Sequence, residues 1–137
     1  MAITHLADTS VLTRLKSPSV RAVLQPLVER GVVGRAAISD LEVGYSARSV
    51  DEWDALATAL DVMDLVPISA PYFSRARHVQ RLLAEKGLGG GKVPDLLIAA
   101  AAEERGLTVL HYDADFDHIA RVTSQRVEWI VAKGSVD

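Results

Sequence analysis

Trp53, Leu56, Ala57, Leu60 and Met63 recur at the three-to-four-residue spacing of a helix that buries one face, with Asp51, Glu52 and Asp54 near its positive end. Pro71 opens a longer helix in which Tyr72, Ala76, Val79 and Leu83 share a face, and Gly87 stops it. A third, alanine-rich helix starts at Pro94-Asp95 and ends at Gly106. Between and around these lie short apolar runs suited to strands: residues 3–7, 32–39, 65–68, 108–110 and 126–131. The first run leads into Asp8-Thr9-Ser10, a capping triplet for a helix starting near Val11. Ser17-Pro18 opens a helix reaching Arg30, which Pro26 is expected to kink or break. Ser39 or Asp40 opens another over residues 40–48, and a short one spans 115–121.

Strands separated by helices predict a parallel sheet, because parallel neighbours need a crossover and a helix usually supplies it. The expectation is an α/β fold, a sheet of about five strands flanked by helices on both faces. With 137 residues, 49% of them apolar, and no linker or repeat, one domain over residues 1–137 is expected.

In such a sheet, ligands bind at the carboxyl ends of the strands, where helix N-termini also lie. Asp8 follows the first strand, Glu42 and Asp95 lie in first helical turns, and Asp113 and Asp115 follow the strand at 108–110. Carboxylates from four separate segments therefore point to one edge. Two unit charges about 4 Å apart repel by roughly 4 kcal/mol at an effective dielectric near 20, so the cluster calls for a cation. The chain has no cysteine, which excludes disulfides and thiolate metal sites and leaves oxygen or imidazole donors. Oxygen donors suit Mg²⁺, with Mn²⁺ as a substitute, and such ions serve phosphodiester hydrolysis.

Net charge is −3, which argues against a sequence-blind nucleic-acid coat protein but leaves room for a basic rim around an acidic centre. The longest apolar run, residues 96–102, is too short to span a bilayer, and the N-terminus lacks a signal-peptide pattern, so a cytoplasmic location is expected. The glycine-rich stretch 87–91 before Lys92 does not match a P-loop, since Val93 stands where the hydroxyl residue belongs. It offers slack beside Asp95 instead.

Four motifs, "HLADTSVL", "ISDLEVGYSARS", "VPDLLIAAAA" and "VLHYDADFDHIA", come in the order and spacing of PIN-domain proteins. Over nearly its whole length the chain resembles the bacterial VapC-type toxins of that family. The resemblance implies a PIN-like three-layer sandwich and an Mg²⁺-dependent endoribonuclease, with Asp8, Glu42, Asp95 and Asp113 as the acidic site and Asp115 as the rival to Asp113. It places metal on Asp8, Asp95, Asp113 and Asp115. It also implies an RNA substrate, a cognate VapB-type antitoxin that could present an Arg to the pocket, and a homodimer or a toxin–antitoxin hetero-oligomer. The family commonly has Thr or Ser where this chain has His111.

Each residue also has a plainer role. Asp8 could cap a helix, Glu42 and Asp95 could complement helix dipoles, and Thr9 and Ser10 could cap or orient a metal-bound water. Arg48, Arg75, Arg77, Arg81 and Lys92 are candidate RNA contacts, although solvated helix faces commonly carry such charges. His111 and His118 are expected to pack rather than react. Two other functions fit an α/β sheet with an acidic edge: a phosphatase or phosphotransfer enzyme, which would carry a second Asp two residues after the first, and a non-catalytic PIN-like binding module.

Overall fold

A computed structural model describes residues 2–89 and 91–137; Gly90, inside the glycine-rich stretch, and Met1 lie outside the described residues. Five strands, β1 (His5–Ala7), β2 (Val33–Ala36), β3 (Asp64–Val66), β4 (Thr108–His111) and β5 (Val127–Trp129), form one sheet in the order β3-β2-β1-β4-β5. Every neighbouring pair is parallel. Between them run α1 (Thr9–Leu12), α2 (Pro18–Glu29), α3 (Ala37–Tyr45), α4 (Val50–Leu60), α5 (Ala70–Glu85), α6 (Val93–Arg105) and α7 (Asp115–Val122).

Side chains alternate across the sheet and build two cores. Leu6, Ala36, Val66 and Val109 face α5, α6 and α7, while Ala7, Val33 and Leu110 face α1 to α4. The α6 helix buries every residue from Leu96 to Ala102. Alanine at four of those positions lets sheet and neighbouring helices approach from several sides. Both faces are covered, so the strands carry near-continuous apolar runs, as parallel sheets require.

Several boundaries differ from the sequence pattern. The strand expected over residues 32–39 ends at Ala36, and α3 begins at Ala37, so neither Ser39 nor Asp40 opens it. Both side chains are committed elsewhere, Ser39 to Thr9 and Asp40 to Arg35, and the helix starts on Ala36 without a side-chain cap. It also stops at Tyr45, three residues before Arg48. Pro26 does not break α2. Pro26 and Ala22, whose carbonyl loses its intrahelical partner, are both exposed, so the missing N–H leaves a carbonyl on the solvent side of the helix rather than a dry one. Met63 lies beyond the end of α4 yet is buried in the second core.

Arg35, on the α3–α4 side of β2, is buried and ties that layer together. Its Nε donates to Asp40 Oδ1 at 2.8 Å, Nη1 donates to the carbonyls of Leu60 (3.1 Å) and Met63, and Nη2 lies 3.5 Å from Asp61 Oδ1. One planar fork thus satisfies the end of α4 and the turn into β3. Arg35→Met should destabilise the fold by about 2–4 kcal/mol, because it strands the Met63 carbonyl and the Asp40 carboxylate, whereas Leu60 O keeps the Met63 N–H. Lys should not rescue it, lacking the fork. Urea unfolding of the three proteins would decide; a Lys variant as stable as wild type would rule out the fork as the source of stability.

Candidate metal centre at the sheet edge

The strand order reverses direction between β1 and β4, since β1 connects onward to β2 on one side and pairs with β4 on the other. That switch point opens a crevice at the carboxyl ends of the two strands. Asp8 is the first residue after β1, and its main-chain N–H donates to Leu110 O of β4 at 2.9 Å. Asp8 also N-caps α1: Oδ2 accepts the Ser10 N–H at 2.9 Å and the Ser10 hydroxyl at 2.6 Å. The cap therefore uses one carboxylate oxygen and leaves the other for a second role. Oδ1 is buried and has no hydrogen-bond partner among the described residues.

Asp95 sits in the first turn of α6 and is 6% exposed, with Oδ2 likewise buried and unpartnered. Carboxylate oxygens of Asp95, Asp113 and Asp115 lie within 4.8 Å of one another. Burial first, then repulsion from Asp8, Asp113 and Asp115, pushes the Asp95 carboxyl up to about 8, against a smaller opposing pull from Lys92. Burial likewise raises Asp8, opposed by its Ser10 hydrogen bonds and assisted by Glu42. Asp95, Asp113 and Asp115 form an all-oxygen donor set with excess negative charge; Asp8 falls outside that close group of three but is near enough for its charge to act on Asp95. That set fits a hard divalent cation.

Glu42 is held from the side. The Thr9 hydroxyl lies 2.7 Å from Glu42 Oε1 and 2.8 Å from Ser39 Oγ. With one proton, given to the carboxylate, it accepts the Ser39 hydroxyl in return. Ser39 is fully buried and was not among the candidates, although its i, i+3 spacing to Glu42 puts both on one face of α3. Ser10 also braces the site from a second direction. Its hydroxyl oxygen accepts the Tyr112 N–H at 2.8 Å, which fastens the segment after β4 to the start of α1.

The basic candidates are dispersed. Lys92 precedes α6, close enough to act on Asp95. Arg75 forms a two-pronged pair with Glu103, at 2.6 and 3.0 Å, joining α5 to α6. Arg81 pairs with Glu85 along α5, and Arg48 with Glu52 at the start of α4. Arg77 lies with Ser74, His78 and Gln80 on the exposed side of α5. Of these, Lys92 alone is brought to the acidic edge. Trp53, Leu56 and Leu60 all line a groove of about 360 Å³ between α3 and α4; Leu60 belongs to the second core, Leu56 packs against it, and Trp53 is exposed.

A PIN-domain family model matches residues 6–122. The chain belongs to the PIN-domain family. Within it the chain falls among VapC proteins: it is 56% identical over 137 residues to Ribonuclease VapC51 of Mycobacterium tuberculosis, covering 100% of both chains. It is 44% identical to Ribonuclease VapC21 of the same species, covering 98% of this chain and 99% of the relative. Among solved structures, this PIN domain is similar to DNA-bound VapBC from Salmonella typhimurium, with TM-score 0.78, 18% identity and coverage of 94% and 99%. The corresponding values for VapBC-5 from Mycobacterium tuberculosis are 0.65, 22%, 92% and 96%. At such identities the structures establish the shared PIN fold, a five-stranded parallel sheet between two helical layers. No described helix is long and apolar enough to cross a membrane.

Proposed function

We propose that the chain is a metal-dependent endoribonuclease, the toxin of a toxin–antitoxin pair. The observation that carries this reading is the pair of buried, unpartnered oxygens, Asp8 Oδ1 and Asp95 Oδ2, at the edge where Asp113 and Asp115 converge. Asp8 and Asp95 would hold Mg²⁺, or Mn²⁺ in its place, with Asp113 and Asp115 completing the pocket. A bound divalent cation shields the phosphate charge and acidifies the attacking water. Thr9 fixes Oε1 of Glu42, leaving Oε2 to take the proton of that water as the phosphodiester bond is hydrolysed. Ser10 orients Asp8, and Lys92 meets the incoming phosphate. Names such as Ribonuclease VapC51 support the reading. The phosphotransfer reading finds no support, because Ser10 stands where a second Asp is needed and its hydroxyl serves Asp8.

A VapB-type antitoxin is the expected partner, in keeping with solved relatives described as VapBC and as a toxin–antitoxin complex. The groove between α3 and α4, with Leu41, Tyr45 and Val50 exposed beside it, is the surface we assign to it.

The test is cleavage of total bacterial RNA by purified protein freed of antitoxin, with Mg²⁺, with Mn²⁺ and with EDTA. Discrete fragments should form only with metal, and folded Asp8→Ala should form none. Uncut RNA under every condition, or equal cutting by the variant, would remove the nuclease assignment.

A further inference from the structure

His111, the last residue of β4, is fully buried, an unusual place for imidazole. Its ring stacks on Phe116 of α7, with centroids 5.1 Å apart at 30°, and tilts against Trp129 of β5 at 4.8 Å and 58°. The Asp113 main-chain N–H lies 3.2 Å from Nδ1. A main-chain N–H can only donate, so Nδ1 is the acceptor and the ring proton sits on Nε2. That proton has no partner among the described residues: Asp117 Oδ1 is 4.0 Å away, and the other Asp117 oxygen already accepts the Trp129 indole N–H at 3.2 Å. Leaving a buried donor unpaired costs stability. A leucine of similar size would avoid that cost, so the imidazole is explained by what Nδ1 does.

We infer that His111 is a positioning residue, whose Nδ1 sets the turn that delivers Asp113 and Asp115 to the acidic pocket. The chain of bonds is short. Nδ1 accepts from Asp113 N, Asp113 Oδ1 accepts from Asp115 N at 2.9 Å, and Asp115 carries one of the three converging carboxylates. The first bond has the geometry of an Asx or Ser/Thr turn, in which a side-chain acceptor takes the N–H two residues on. Imidazole does the same while its faces lock the turn to α7 and β5. A small side chain would provide the bond without that lock. The connection to metal rests on the function proposed above; the turn itself does not.

The experiment compares His111→Asn, His111→Thr and His111→Val. Asn and Thr keep an acceptor near Nδ1, and Thr and Val have nearly the same shape, so lost ring packing cancels between them. Two quantities are read on folded protein: amide exchange at Asp113 without metal, and Mn²⁺ affinity by calorimetry. Exchange at Asp113 should stay within about threefold of wild type for Asn and Thr and rise at least about tenfold for Val. Mn²⁺ affinity should weaken about 10–100-fold for Val, the usual effect of losing a group that orients a ligand, and about threefold or less for Asn. If Val fails to fold, Leu takes its place. Val or Leu matching wild type in both readouts overturns the inference, as does Asn impaired as much as Val. Wild type that binds no Mn²⁺ overturns the metal reading instead, and exchange at Asp113 then decides the role of His111.

Discussion

Asp95→Asn should make the metal-free protein more stable at pH 8 and lower the metal-dependent cleavage of RNA by about 10²–10³. An unfolded Asp ionises at 3.8, whereas burial and three neighbouring carboxylates hold the folded group near 8. Between those values the folded state keeps a proton that the unfolded chain has released. The contribution of Asp95 is therefore fully present below about pH 4, falls as pH rises through the window, and is gone above about pH 8. At 1.36 kcal/mol per unit the ceiling is roughly 6 kcal/mol, and relaxation of the side chain toward water lowers it. Asn keeps the shape without the charge, so a gain of about 2 kcal/mol, or about 5–10 °C in Tm, is expected at pH 8 in EDTA. The gain should be largely lost at pH 4, where wild-type Asp95 is protonated in the folded state and close to half protonated in the unfolded one. His111 acts in the opposite direction: burial lowers it to about 4, so its contribution is lost as pH falls from 6.5 through 4. Activity of the Asn variant should drop by about 10²–10³, comparable to losing a preorganised electrostatic group. Thermal melts at pH 4 and 8 with a cleavage assay test both halves. An Asn variant less stable than wild type at pH 8 would show that Asp95 is satisfied without metal.

This opposition between stability and function explains why parts of the molecule can be read from sequence and others cannot. The parallel sheet follows from apolar runs alternating with helical periodicity, and the acidic edge follows from Asp8, Asp95, Asp113 and Asp115 each falling after a strand or in a first helical turn; Glu42, expected in a first turn, lies in the second turn of α3 because that helix starts at Ala37. Those are local signals that topology turns into one location. The start of α3 was illegible for the opposite reason. Ser39 and Asp40 are strong local caps, but tertiary partners 30 residues away at Thr9 and five residues away at Arg35 take their side chains. Pro26 misled because breaking a helix matters only where the freed carbonyl is dry. The pairing of Arg75 with Glu103 spans 28 residues, and no periodicity within either helix announces it. Nor does sequence distinguish the two oxygens of Asp8, of which one caps a helix and the other is buried without a partner among the described residues.

The cation affinity of the site should depend steeply on pH, and the slope counts the protons displaced. Below about pH 8 the Asp95 carboxyl holds a proton in the metal-free protein, and a cation binding to it must drive that proton off. Each unit of rising pH then tightens binding about tenfold, so Mn²⁺ affinity should increase about 100-fold between pH 6 and pH 8 and level off beyond. Asp8, also raised by burial, can only steepen the slope. The same linkage gives the metal its largest stabilising effect where the empty site is most strained, so the Mn²⁺-induced rise in Tm should grow from pH 6 to pH 8. Calorimetry in two buffers of different ionisation enthalpy would measure it directly: about one proton released per ion near pH 6.5 and close to none at pH 9. A release near zero at both values, with affinity constant across the range, would mean that Asp95 is ionised before the metal arrives. In that case the crowded edge would be neutralised by something within the chain, and the unpartnered oxygens of Asp8 and Asp95 would lose their claim to be a cation site. With the expected slope, the repulsion that destabilises the metal-free edge becomes the source of its affinity, because a single ion offsets several buried charges together.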